Sequence, residues 1–284
     1  MRVRDIVAGA AGVVLLFGVS EAGAGEISGT RLPHGQGTVE SYAVLQADGT
    51  PAEIGVIFSK GALDGLPAQK NRTSRCFDLN GDGRIGEHDE CEGDHQSDLP
   101  LPAEVTARDD IPFGWAMVNW NPEGHPPPVW SLPHFDIHFY SIAADEVQTI
   151  RVGPCGIFMH CDDFARATKP VPAKYVHPDH VSVQASVGQM GDHLIDSKTP
   201  ELANPPAEFT HTWIFGAYDG SIIFHETMAT HAFMSAKPQL CADIKLPQAW
   251  AQAGWYPTRY CFRHEEASGR LKVFMEGFVR REAG

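Results

Sequence analysis

The chain has 284 residues, of which 43% are hydrophobic and 20% charged, a globular composition with enough length to bury a core. Its 28 Gly and 21 Pro favour turns and irregular connections over helical bundles or coiled coils. A formal net charge of -14 repels phosphate backbones and anionic lipid, which removes the electrostatic basis for nucleic-acid binding.

Arg2 and Arg4 precede an apolar and small-residue run from Ile6 to Val19, and Ala22-Gly23-Ala24 fits a small-x-small cleavage site. This is the pattern of a secretory signal peptide over residues 1–24. The run is shorter than the ~20 residues that a membrane span needs, and no second run of that length follows. The mature protein is therefore expected in a periplasm or outside the cell, away from the membrane, with residues 25–284 forming a single β-rich domain. In an oxidising compartment the six cysteines read as disulfides. Nearest-neighbour pairing, Cys76 with Cys91, Cys155 with Cys161 and Cys241 with Cys261, is the simplest arrangement.

Thr38 to Gln46 and Ala52 to Ser59 read as strands around the turn-forming Asp48-Gly49. Further strands are expected at Ile111 to Trp120, His134 to Ile142, Val181 to Val187, Phe209 to Ala217, Ser221 to Ala229 and Leu271 to Val279, with a short helix at Gln248 to Gly254. Asn121 to Pro128 reads as a stiff, proline-rich connection, and His177 and His180 read as loop residues. Strands with frequent turn signals and little helix give an all-β class, a sandwich or barrel with long decorated loops.

An acidic insertion is expected at about residues 71–98, where eight carboxylates between Asp78 and Asp98 face one Arg. Within it Asp78, Asn80 and Asp82 occupy alternating positions, Gly83 supplies the sharp turn, Arg84 offers its backbone carbonyl, and Asp89 closes the set. Oxygen donors at that spacing surround a hard cation, so these five residues are predicted calcium ligands. The pattern resembles the calcium loop of EF-hands, and Asp at the closing position resembles the dockerin variety. It departs from both at Glu90, where those loops carry an apolar residue. Cys76 and Cys91 bracket it. A lone loop of this kind in a secreted protein is expected to bind calcium weakly, at ~10⁻⁴ to 10⁻³ M, in a stabilising role.

His134-Phe-Asp-Ile-His-Phe-Tyr140 alternates strictly, so a strand places His134, Asp136, His138 and Tyr140 on one face and Phe135, Ile137 and Phe139 on the other. Two His and an Asp are unusual for a solvated face. Phe209 to Met228 reads as a hairpin about Asp219-Gly220, and pairing Tyr218 with Ser221 sets Trp213 opposite Glu226 and His211 opposite Met228. On that register His211 and Glu226 share an apolar face, which calls for a partner or an ion. Met190-Gly-Asp-His193 adds one His in a Gly-bounded turn. His134, Asp136, His138, His193, His211 and Glu226 are thus the candidate ligands of zinc, copper or iron. A hydrogen-bonded His and carboxylate core is the other reading of the same residues.

The runs Asn119 to His125, Pro133 to Tyr140, Met190 to His193, Thr199 to Leu202, Phe209 to Thr212, Tyr218 to Gly220 and Glu226 to Met228 resemble a family of exported bacterial proteins of unknown function, the TTHB-like group. The prototype of that group is a sigma-E-controlled Thermus protein. The resemblance spans roughly residues 35 to 235. It implies an exported β-rich domain and supplies no reaction.

Two functions of different class follow. One is a metal-dependent site with catalytic potential, built from imidazoles and carboxylates. The other is a non-catalytic, calcium-stabilised envelope or ligand-binding protein, with a small-molecule ligand and homo-oligomerisation both open to it. No Gly-x-Ser-x-Gly elbow or phosphate-binding P-loop occurs in the chain.

Overall fold

The computed structural model describes residues 25–85, 90–125 and 129–284. The signal segment 1–24, the closing loop residue Asp89 and Pro126 to Pro128 lie outside the described residues. In chain order the strands are β1 (Glu26–His34), β2 (Gly37–Leu45), β3 (Pro51–Phe58), β4 (His95–Pro100), β5 (Trp115–Asn121), β6 (His134–Tyr140), β7 (His180–Val187) and β8 (Gly191–Asp196). There follow β9 (His211–Tyr218), β10 (Ser221–Thr230), β11 (Gln239–Asp243), β12 (Gly254–Tyr256), β13 (Arg259–Glu265), β14 (Arg270–Glu276) and β15 (Val279–Arg281). The helices are short: α1 (Ala103–Thr106), α2 (Ala144–Gln148), α3 (Cys161–Ala167) and α4 (His231–Ser235).

The strands form a six-stranded sheet in the order β1-β2-β3-β14-β13-β11, a seven-stranded sheet in the order β4-β5-β6-β10-β9-β8-β7, and a small β12-β15 pair. All pairings are antiparallel, and the two large sheets make a sandwich with no closed barrel among the described residues. Alternation along each strand explains the core. Val39, Ile54, Val56, Val273 and Met275 from the first sheet meet Val118, Phe135, Ile137, Phe139 and Phe215 from the second. Burial of such side chains contributes roughly 1.5–3 kcal/mol each before chain entropy is counted.

The three disulfides join Cys76 to Cys91, Cys155 to Cys161 and Cys241 to Cys261, the nearest-neighbour set. The last links residues directly opposed on β11 and β13. No described helix is long and apolar enough to cross a membrane.

Four expectations are corrected. Residues 248–253 form bends instead of a helix, because the segment folds Trp250 flat against Tyr256, with ring centroids 3.7 Å apart. His193 lies on β8 instead of in a turn, and His180 opens β7 and is buried. The β9–β10 hairpin keeps Tyr218 opposite Ser221, but a bulge between Ile222 and Phe224 shifts everything beyond it. Glu226 then faces Ile214, Met228 faces Thr212, and Ala229 faces His211. A shift of one residue sends the affected side chains to the opposite face of the sheet, so His211 and Glu226 part company.

Candidate metal centre

Strand β6 carries the site on its outer face and the sandwich core on its inner face. Phe135, Ile137 and Phe139 belong to the core, whereas His134, Asp136 and His138 point away from the other sheet. That outer face is also covered: His134 and His138 are fully buried and Asp136 is 5% exposed. The cover comes from the loop after β5, the residues flanking the Cys76–Cys91 bridge, and a second apolar cluster containing Ile150, Met159, Val187 and Met190.

The predicted ligands fall into two sets. In the first, His134 Nε2 lies 3.2 Å from Asp136 Oδ1, and His125 Nε2 lies 3.4 Å from Asp136 Oδ2. Asn121, at the end of β5, donates to Asp136 Oδ2 at 2.8 Å, and His125 Nδ1 lies 3.8 Å from Glu92 Oε1. The His134 Nδ1–H donates to the Leu132 carbonyl at 2.6 Å, so its Nε2 is the free nitrogen facing Asp136. Neither His134 Nε2 nor Asp136 Oδ1 makes a hydrogen bond.

In the second set β10 places Glu226 directly opposite His138. His138 Nε2 lies 3.5 Å and His193 Nε2 3.7 Å from Glu226 Oε2. The His193 Nδ1–H donates to the Ala185 carbonyl at 2.7 Å, which leaves its Nε2 lone pair toward Glu226. Phe224, brought to this face by the bulge, packs edge-on against both rings, with centroids 4.8 Å from His138 and 5.2 Å from His193. His138 Nε2 and Glu226 Oε2 are buried without hydrogen bonds. Ligand atoms within each set lie within 4.8 Å of one another.

Electrostatics separates the two sets. Burial works against charge on Asp136, but the His134 and His125 imidazoles outweigh it and hold the carboxyl well below its usual range. Burial likewise opposes charge on His125, yet Asp136 and Glu92 push it up to about 9, so an imidazolium balances Asp136 at neutral pH. In the second set burial, reinforced by the neighbouring His193, pushes His138 down to about 3, and burial lowers His193 as well. Glu226 is driven well above the carboxylate range by burial and by the charge on Asp136. Two neutral imidazoles and a carboxyl that burial keeps protonated form a donor set in which a divalent cation would take the place of the carboxyl proton.

Both sets border one cavity of about 250 Å³. Glu92, His125, Asp136 and His193 form its polar wall, and Val187, Ile195, Ile214 and Met228 are among its apolar lining.

His211 is not brought to this site. It faces the sandwich interior, where its Nδ1 is 2.9 Å from the Tyr260 hydroxyl and its ring packs on Phe233 and Phe262. Sequence reasoning missed His125 and Glu92. His125 stood in the Gly-His-Pro connection with no partner visible in the sequence, and Glu92 stood among eight carboxylates with nothing to single it out.

Of the predicted calcium ligands, Asp78, Asn80, Asp82 and Arg84 are described and lie on an exposed loop. The Asp78 carboxylate accepts from the amides of Gly81 at 2.8 Å and Gly83 at 2.7 Å, the Asn80 side-chain oxygen accepts from Asp82, and Asp82 accepts from Arg84. Glu90, the departure from the EF-hand pattern, accepts from the amides of Leu79 and Asn80 and so holds the start of the loop.

Comparison with protein-family models, with curated proteins and with solved structures gave no match.

Proposed function

We propose that this is an exported, calcium-stabilised metalloprotein that holds a transition-metal ion, zinc, copper or iron, between His138, His193 and Glu226. The observation that carries the reading is the convergence of these side chains from three strands with His138 Nε2 and Glu226 Oε2 buried and unpartnered. Buried polar atoms are normally satisfied, and two imidazoles with one carboxylate are a recurrent set for a divalent transition metal with open coordination positions. The Ala185 carbonyl orients His193 as outer partners orient metal-bound imidazoles. Export is supported by the N-terminal pattern and by three disulfides. Calcium binding is supported by the oxygen-rich loop bracketed by Cys76 and Cys91, and membership of the TTHB-like group by the motif runs alone.

The test is elemental analysis of tag-free protein, native and after chelation and reloading. We expect a tightly held transition metal in the wild type. Glu226→Gln keeps the shape and removes the anionic donor, and should weaken binding by at least ~10-fold, the loss typical even of an outer partner. Calcium without any transition metal, before and after reloading, would overturn the reading in favour of a hydrogen-bonded core.

A further inference from the structure

The residues expected to serve one ion resolve into two constellations on neighbouring positions of β6, and the first has acquired a ligand that the strand pattern does not contain. Asp136 and His138 are successive residues on the same face, so their Cα atoms are ~6.8 Å apart, too far for one ion to collect all the donors of both sets. We infer that the cavity takes two transition-metal ions, the second held by His125, His134 and Asp136. This rests on the metal reading of the cavity given above and extends it to a separate site.

The geometry of the first set poses a problem that an ion solves. The Nδ1–H of His134 is committed to the Leu132 carbonyl, so the ring turns Nε2 toward Asp136 Oδ1 at 3.2 Å, and neither of these buried atoms makes a hydrogen bond. Buried polar atoms are normally satisfied, and an ion between these two would satisfy both. His125 Nε2 approaches Asp136 from its Oδ2 side at 3.4 Å, so the two imidazoles flank one carboxylate and a divalent ion between the three groups would draw a donor from each. The three ligand atoms already lie within 4.8 Å of one another. Asn121 fixes Asp136 through Oδ2, and Leu132 fixes His134, which is the pattern of outer contacts that holds metal ligands in place. His125 is supplied by the loop after β5, whose return is secured by the His125 amide donating to the Trp130 carbonyl at 3.0 Å. His125 and Asp136 from this set and His193 from the other face the same cavity. The imidazole and carboxylate donors suit zinc, iron or copper in preference to calcium.

The experiment is a metal count on the full mature chain, stripped with chelator and kept in saturating calcium so that the acidic loop takes no probe. Zn²⁺ is titrated in, excess is removed by gel filtration, and bound zinc is measured; Co²⁺ absorption provides a second readout. The wild type should retain two equivalents. His125→Ala, a half-buried loop substitution, should retain one, as should the conservative Asp136→Asn. His193→Ala should also retain one, with a Co²⁺ spectrum different from that of His125→Ala. One equivalent in the wild type, lost in His193→Ala and unchanged in His125→Ala and Asp136→Asn, would overturn the second site and leave the first reading standing. Two equivalents untouched by His125→Ala and Asp136→Asn would also overturn it. No retained zinc would overturn both. Circular dichroism of each variant distinguishes loss of a ligand from loss of fold.

Discussion

Three histidines outside the candidate site, His34, His180 and His225, are kept neutral by burial, which pushes the first two down to about 4 and the third to about 3. His225 is the clearest case: its ring sits among Phe113, Trp213, Phe215, Trp250 and Tyr256, and its Nδ1 has no hydrogen-bond partner. An unfolded chain protonates histidine near pH 6.5, so below that pH the unfolded state takes up protons that the folded state refuses. Stability from neutral burial is therefore complete above about pH 6.5 and falls as acid is added toward the folded values. At about pH 5 each such residue costs on the order of 2 kcal/mol relative to neutral pH. Urea unfolding at about pH 7.5 and pH 5 should show this loss, and His225→Phe should shrink it by roughly that amount. An unchanged pH dependence in the variant would show that His225 is protonated or hydrated in the folded protein.

At the scale of elements, one bulge decides which side chains share a face. The alternation of β6 was fully legible, because period two needs no knowledge of neighbours, and both its apolar and its chemical face are where the pattern puts them. The partner strand was not legible beyond its turn. Counting back from Tyr218 and Ser221 fails at Ile222/Phe224, and the cost is the assignment of His211 to the site. Gly216 accompanies this bulge: it lies opposite Phe224, and a Cβ added there would fall within the Phe224 ring. Since that ring packs on His138 and His193, Gly216→Ala should push it into the imidazoles. We expect a loss of about 1–3 kcal/mol, measured by chemical denaturation, together with weaker metal retention. A stable variant with wild-type metal affinity would show that Phe224 has room to move. His193 was misplaced for a related reason: Gly191 suggests a turn, yet its φ of +143° occurs at the start of a paired strand.

Across the whole molecule the covalent links are local, and the two sheets are held to each other by the shared apolar core. The Cys76–Cys91 bridge does something further. It separates the exposed oxygen-rich loop from Arg75 and Glu92, and Arg75 forms a buried pair with Asp94 at 2.6 Å while Glu92 borders the cavity. Calcium at a few millimolar should raise the melting temperature by about 2–5 °C if affinity lies in the ~10⁻⁴ to 10⁻³ M range. Asp78→Ala should abolish that increment, and identical melting in chelator and in calcium would refute calcium binding. The class of fold, the disulfides and the alternation that gathers the β6 imidazoles and carboxylate on one face could be read from local sequence, whereas the approach of His125 and Glu92 could not, because only the closed tertiary structure brings those loops over the sheet. The strand at the centre of this arrangement has a consequence for how such a protein can change. Along β6 folding and chemistry are written on positions of opposite parity: 135, 137 and 139 fill the sandwich, and 134, 136 and 138 supply donors. Substitutions on one parity can therefore alter the donor set without touching the sandwich interior, while a single-residue insertion or deletion within the strand exchanges the two roles and abolishes both at once.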